Sequence, residues 1–156
     1  MSELTFLQKA LRQGQRVAGL FKPMTLGVRV IALDEAGRVF LVRHTYLPGF
    51  YLPGGGVERD ETAIDALRRE LAEEGALEWA EPPRLIGLYW NRRHSRRDHV
   101  ALYLARNVRQ AALRPPDWEI AESGFFPLDA LPEDVTPSTR ARLNEAFSGA
   151  PPDPVW

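Results

Sequence analysis

Glu70, Glu73 and Glu74 stand at spacing i, i+3 and i+4 in a run whose pattern predicts a helix from about Glu61 to Glu74. The helical repeat brings residues at those offsets onto one face. Three carboxylates held that close repel one another, and a divalent cation converts the repulsion into coordination. Magnesium, manganese and calcium prefer such hard oxygen ligands. Residue type and spacing therefore point to an acidic metal site on a helix. The plain alternative is a solvated charged face, with Arg68 and Arg69 neutralising part of the charge. The residues ahead of the helix favour the site. Leu52-Pro53-Gly54-Gly55-Gly56-Val57 sets three consecutive glycines just upstream. Such a run suits a backbone that takes positive φ or comes close to something else. A glycine turn feeding a helix also offers N–H groups to an anion.

From Gly55 the chain reads five residues, Glu61, seven residues, then Arg69-Glu70-Leu71-Ala72-Glu73-Glu74-Gly75-Ala76-Leu77. This segment resembles the signature of the Nudix hydrolases, and every charged position matches. Ala76 stands where the family usually has glycine, with Gly75 one place earlier, so the departure touches the helix end and not the acids. The resemblance implies an α+β chain, a Nudix-type α/β/α sandwich with a mixed β-sheet between helices. It also implies hydrolysis of a nucleoside diphosphate linked to another moiety, with Mg2+ as cofactor and Mn2+ able to substitute. By matching, Glu70, Glu73 and Glu74 would be metal ligands and catalytic residues. Gly55 would let the turn backbone approach the ion and lend its carbonyl. The general base would be one of the crowded carboxylates, since crowding raises a carboxyl pKa. Glu119 is the other candidate for that role, in the later acidic segment where many family members place an extra ligand or base, with Glu122 beside it. Glu61 would pair with Arg69 across two helical turns or simply favour the helix dipole. Two alternatives stand beside this reading: an enzyme acting on RNA 5′ ends, and a non-catalytic nucleotide-binding module. The presence of all three acids argues against the second.

Composition agrees. A chain of 156 residues fits one domain with a sizeable core. Its apolar content of 44% and charged content of 26% are those of an ordinary globular protein. A net charge of −1 supplies no global attraction to nucleic acid or membrane. The absence of cysteine excludes disulfides and thiolate metal sites. No stretch is apolar and long enough to span a bilayer, and Glu3, Gln8, Lys9 and Arg12 interrupt any signal-peptide core. The expectation is a cytoplasmic enzyme whose partner is a small nucleotide diphosphate.

The elements that must position these residues follow from pattern. Residues 1–20 carry Leu4, Leu7, Ala10 and Leu11 at helical spacing. They are expected to form an amphipathic helix that packs on the domain or on a second subunit of a homodimer. Lys9 and Arg12 give little support for membrane attachment. Residues 21–149 form the domain, and residues 150–156 a proline-rich, extended tail. Thr25 to Leu33 and Arg38 to His44 are rich in β-branched residues and joined by the turn Asp34-Glu35-Ala36-Gly37. Val39 to Val42 is apolar without a break, as in a strand covered on both faces. Asp60 is the expected N-cap of the acidic helix. Arg84 to Trp90 and Asp98 to Arg106 read as a second hairpin around the tip Asn91 to Arg97. Ile120 to Phe126 reads as a short strand, and Thr136 to Phe147 as a closing helix entered through Pro137.

Arg43, His44 and Tyr46 leave the second strand just before the glycine turn, so they border the expected pocket, with Arg43 and Tyr46 as candidate substrate contacts. Tyr89 and Trp90 are later candidates, although aromatics on strands are more often core. Arg92-Arg93-His94-Ser95-Arg96-Arg97 concentrates cations on the hairpin tip, either as a solvated turn or as a site for a terminal phosphate or RNA. Some ADP-ribose-cleaving family members carry a proline past the signature. Asn91 and Arg92 occupy that region here, so an ADP-ribose preference finds no support.

Overall fold

The computed structural model describes residues 23–156. The helix expected over residues 1–20 lies outside the described residues. In chain order the elements are β1 (Thr25–Ala32), β2 (Val39–His44), β3 (Phe50–Tyr51), α1 (Ala63–Gly75) and β4 (Leu77–Glu78). There follow β5 (Arg84–Trp90), β6 (Asp98–Ala105), β7 (Arg109–Gln110), β8 (Ile120–Phe126) and α2 (Pro137–Phe147). They form two three-stranded sheets, β1-β6-β5 and β3-β2-β8, and the short pair β4-β7. β1 runs parallel to β6, whereas β5 and β6 form the expected antiparallel hairpin.

Strand alternation distributes the core. Val28, Val30 and Ala32 of β1, with Phe40 and Val42 of β2, pack against Ala66, Leu67 and Leu71 of α1. The alternate residues Ile31, Leu33, Val39 and Leu41 pack with Leu143 of α2. All four residues from Val39 to Val42 are fully buried, which accounts for the unbroken apolar run. Burying each such large side chain contributes about 1.5–3 kcal/mol. The sheets therefore lie between two helices, as the α/β/α expectation requires.

The first pair of expected strands does not zip into a hairpin. Their backbones meet in a bridge between Leu33 and Val39 and a bond from Asp34 N–H to the Arg38 carbonyl, and the Asp34 carboxylate holds Arg38 across the turn. β1 pairs instead with β6, and β2 with β3 and β8. Residues 53–57 lie along the other edge of β1. Val28 N–H donates to the Gly55 carbonyl at 2.8 Å, Val30 N–H to the Pro53 carbonyl at 3.1 Å, and Val57 N–H to the Leu26 carbonyl at 2.8 Å. The glycine segment is thus laced to a central strand. Gly54 sits at φ 136°, and a Cβ there would meet the Val28 carbonyl oxygen at 2.1 Å.

The start of α1 differs from expectation. The N-cap is Thr62, whose hydroxyl accepts from Asp65 N–H at 3.1 Å while Thr62 N–H donates to the Asp65 carboxylate at 3.2 Å. This reciprocal capping box out-competes Asp60, which is left in the preceding turn at φ 64°. At the other end the two small residues divide the work. Gly75 is required by packing, since a Cβ there would come 2.5 Å from the Phe40 ring. Ala76, not a glycine, takes the left-handed cap at φ 50° and ψ 42°. That conformation costs a non-glycine residue about 1–2 kcal/mol, partly offset by the lower unfolded-state entropy of alanine. Ala76→Gly is expected to stabilise the protein by about 0.5–1 kcal/mol, raising Tm by roughly 2–3 °C. Thr62→Ala is expected to cost about 1 kcal/mol. Thermal melts of the two variants against wild type read both signs.

Candidate active site

The three glutamates share one face of α1 but not one environment. Glu74 is buried, at 4% exposure. One of its carboxylate oxygens, Oε2, accepts the Gly54 N–H at 2.7 Å, and the other lies 3.7 Å from His44 Nε2. Burial pushes its carboxyl up to about 8, and nearby Glu70 and Glu119 add to the rise. The Arg29 charge and the Gly54 N–H oppose it. His44 moves the other way: burial and then Arg29 lower its pKa, so the imidazole is neutral near pH 7. With the acid raised, the base lowered and 3.7 Å between them, His44 and Glu74 are buried neighbours and not an ion pair.

Glu70 is half-buried, and burial raises its pKa against the pull of Arg69. Arg69 ties this end of the site together. Its guanidinium reaches Glu70 at 2.8 Å, Glu61 at 2.9 Å and Glu73 at 3.5 Å, and it donates to the Gly56 carbonyl at 3.0 Å. The expected pairing of Glu61 with Arg69 is present, and that hydrogen bond holds the Glu61 carboxyl below its usual range. Glu73 is 59% exposed and has only the longer contact.

Gly55 lets Glu70 press on the turn: a Cβ would fall 2.1 Å from Glu70 Oε1 and displace that carboxylate. Its carbonyl accepts one hydrogen bond, from Val28 N–H, which leaves a second lone pair. Arg29, half-buried on β1, donates to the Leu52 carbonyl at 3.1 Å and to the Gly54 carbonyl, so it clamps the turn from beneath. Among the described residues no group of three His, Asp or Glu side chains is gathered tightly enough to enclose an ion as they stand. The donor chemistry nevertheless fits a hard divalent cation. Anionic oxygens crowd one helix face beside a glycine carbonyl, and Glu73 remains exposed enough to rotate.

The flanking candidates separate. Tyr46 is 63% exposed, and its ring lies 5.3 Å from that of His44. Its phenol pKa is raised by burial first, then by the charges of Glu119 and Glu74, which puts all three in one neighbourhood. Glu119 is fixed there through its carbonyl, which accepts Thr45 N–H at 2.9 Å. Arg43 and Glu122 pair with each other at 3.5 Å, while Arg43 also reaches Asp134 at 3.0 Å and lies over the Phe50 ring. Strand alternation sends residue 43 to the α2 side and residue 44 to the α1 side. Tyr89 is core: its hydroxyl donates to Glu145 of α2 at 2.9 Å. A cavity of about 710 Å³ adjoins the glycine turn, lined in part by Arg29, Gly55, Gly56, Arg59, His94 and Trp156. Sequence reasoning missed Arg29, although a lone arginine inside the apolar strand Val28-Arg29-Val30 is a readable signal. It also missed Arg59 and Trp156, which no local pattern marks.

The raised Glu74 carboxyl has a stability consequence. Its folded pKa exceeds the unfolded value, so the folded state binds more protons between the two, and stability falls as pH rises through that window. With chelator present, Tm is expected to decline from about pH 5 to pH 8, and Glu74→Gln to flatten the decline. Divalent-ion affinity, which requires the ionised carboxylate, should strengthen over the same range. A melt series and calorimetric titrations check both.

No described helix is long and apolar enough to cross a membrane. An RNA pyrophosphohydrolase of Xanthomonas campestris pv. campestris is 39% identical over 57 residues, 36% of this chain and 26% of its own length. The chain thus spans about a quarter of the length of such curated relatives. A Bacillus subtilis protein, provisionally named 8-oxo-dGTP diphosphatase, is 29% identical over 126 residues, 81% of this chain and 82% of its own. The crystal structure of a MutT NUDIX hydrolase from Burkholderia pseudomallei superposes with a TM-score of 0.66 at 25% identity, covering 81% of this chain and 99% of that one. The family model described as NUDIX domain matches residues 23–147, and with the acidic helix and its glycine turn in place the chain belongs to the NUDIX family.

Proposed function

We propose that this protein hydrolyses the diphosphate bond of a small nucleotide in which a nucleoside diphosphate is joined to another moiety, in a reaction that requires Mg2+ or, in its place, Mn2+. The observation that carries the reading is the meeting of α1 with the glycine turn. Glu74 is buried on the Gly54 N–H and Glu70 presses on Gly55, and Gly55 and Gly56 of the same turn line a cavity of nucleotide size. The names of two relatives, RNA pyrophosphohydrolase and 8-oxo-dGTP diphosphatase, support the reaction class while differing in substrate.

Glu70, Glu73 and Glu74 would hold the metal, with the Gly55 carbonyl as a further oxygen. Bound there, the ion would supply charge neutralisation of the diphosphate and a more acidic attacking water. The remaining work belongs to the chain. Arg69 and Arg29 fix the helix and the turn against each other, so the carboxylates need little reorganisation. Arg29 and Arg59 line the cavity and offset the charge of the substrate. Glu119, near Tyr46 and Glu74, takes the proton as water oxygen bonds to phosphorus and the bridging oxygen leaves with the other phosphate. Tyr46 is the exposed ring available to meet a substrate, while Arg43 braces β2 through Asp134.

Turnover of a nucleotide panel with Mg2+ should release a nucleoside monophosphate and a phosphorylated partner, and chelator should stop it. Glu73→Gln is expected to lower kcat/KM by more than about 100-fold with Tm preserved, beyond the 10- to 100-fold typical of outer partners of a metal. A variant with near-normal rate would mean that the roles are misassigned.

A further inference from the structure

The hairpin tip between β5 and β6 was ambiguous in sequence, because arginines on a loose turn are ordinarily solvated. It is not a loose turn. Asn91 N–H donates to the Asp98 carbonyl at 2.9 Å, and the Asn91 carbonyl accepts from both His94 and Ser95 at 3.1 Å. Asp98, buried at 7% exposure, accepts from the Asn91 amide at 2.8 Å and from the Thr25 hydroxyl at 2.6 Å. The stem is pinned as well. Trp90 N–H donates to the Pro154 carbonyl at 2.8 Å, and Trp156 N–H donates to the Trp90 carbonyl at 3.1 Å. The Trp90 indole N–H closes across the tip onto the Arg96 carbonyl at 3.1 Å.

This scaffold carries a concavity of about 400 Å³ lined by Trp90, Arg92, Arg93 and Arg96. Among the described residues none of those three arginines is paired with a carboxylate. Arg38, Arg43, Arg69, Arg109, Arg114 and Arg142 each are, and what sets the three apart from other unpaired arginines is that they line one hollow together. Three permanent cations share one exposed hollow on a chain of net charge −1, and among the described residues no carboxylate pairs with them. Guanidinium groups beside a fixed aromatic match a phosphate next to a base. The same tip reaches the cavity at the glycine turn, which Asn91 and His94 also line.

We propose that the Trp90–Arg96 hollow is an accessory anion subsite that binds phosphate groups of a substrate lying outside the reacting diphosphate. It rests on the hydrolase reading only for the nature of the ligand. Such phosphates come from a polynucleotide chain or from an extra monoester on a small nucleotide, and the hollow recognises the chemistry common to both.

The test compares wild type with an Arg92→Gln/Arg93→Gln/Arg96→Gln variant and its triple lysine counterpart. In one arm, binding of a 5′-hydroxyl single-stranded oligonucleotide, which has phosphodiesters but no diphosphate, is followed by anisotropy against salt. Loss of three phosphate contacts should weaken binding at least about 10-fold at low salt and reduce the log–log salt slope by about 2. The lysine variant should restore the slope. In the other arm, KM is measured for two diphosphate substrates that differ by one monoester phosphate, and the variant should abolish the preference for the phosphorylated one. An effect in either arm, with lysine rescue and unchanged kcat on the plain substrate, supports the subsite and names its source. No difference in both arms overturns it, as does a loss that lysine fails to restore. Wild type that binds the oligonucleotide yet cleaves nothing would instead sink the hydrolase reading and leave this one standing.

Discussion

Burial of the Glu74 carboxylate against the glycine turn is the constraint on which the rest of the site depends. A carboxylate at 4% exposure loses most of its hydration, and what replaces it is one backbone N–H from Gly54 and the field of Arg29. That compensation is incomplete, which is why the proton is held so strongly. It works at all only because Gly54 adopts φ 136°, a conformation closed to side chains, and because Gly55 leaves room for Glu70. Two glycines, one buried acid and one clamping arginine thus form a single mechanical unit.

Arg69 performs the complementary task on the solvent side. One guanidinium draws Glu61, Glu70 and Glu73 together and also holds the Gly56 carbonyl. The outer part of the helix face is therefore charge-compensated by an arginine, while Glu74 is set apart by burial beside the Gly54 N–H and Arg29. An asymmetric distribution of that kind leaves one side braced and the other side able to take up a hard cation.

The C-terminal residues join the same architecture from the opposite side. Val155 bridges to Trp90, and Arg142, buried on α2, donates to the Val155 carbonyl at 3.0 Å. Arg142 also stacks over Tyr89 and near Trp156. The tail therefore steadies the β5–β6 stem and adds Trp156 to the cavity wall.

The acid spacing, the Glu61–Arg69 relation, the doubly covered strand β2 and the bounds of β8 were legible in sequence, because each follows from short-range periodicity or pairing along one element. Four things were not. The N-cap moved to Thr62 because a reciprocal bond with Asp65 outweighs a single good capping residue. β1 left its sequence neighbour for β6, a choice that depends on which edges two distant segments can bury. Arg43 and His44, adjacent in sequence, went to opposite faces, and only the packing of α1 and α2 on those faces decides which one meets the carboxylates. The unequal fates of Glu70, Glu73 and Glu74 follow from burial, and local spacing cannot encode burial: it sets which side chains share a face, while the rest of the fold decides how much water each one keeps.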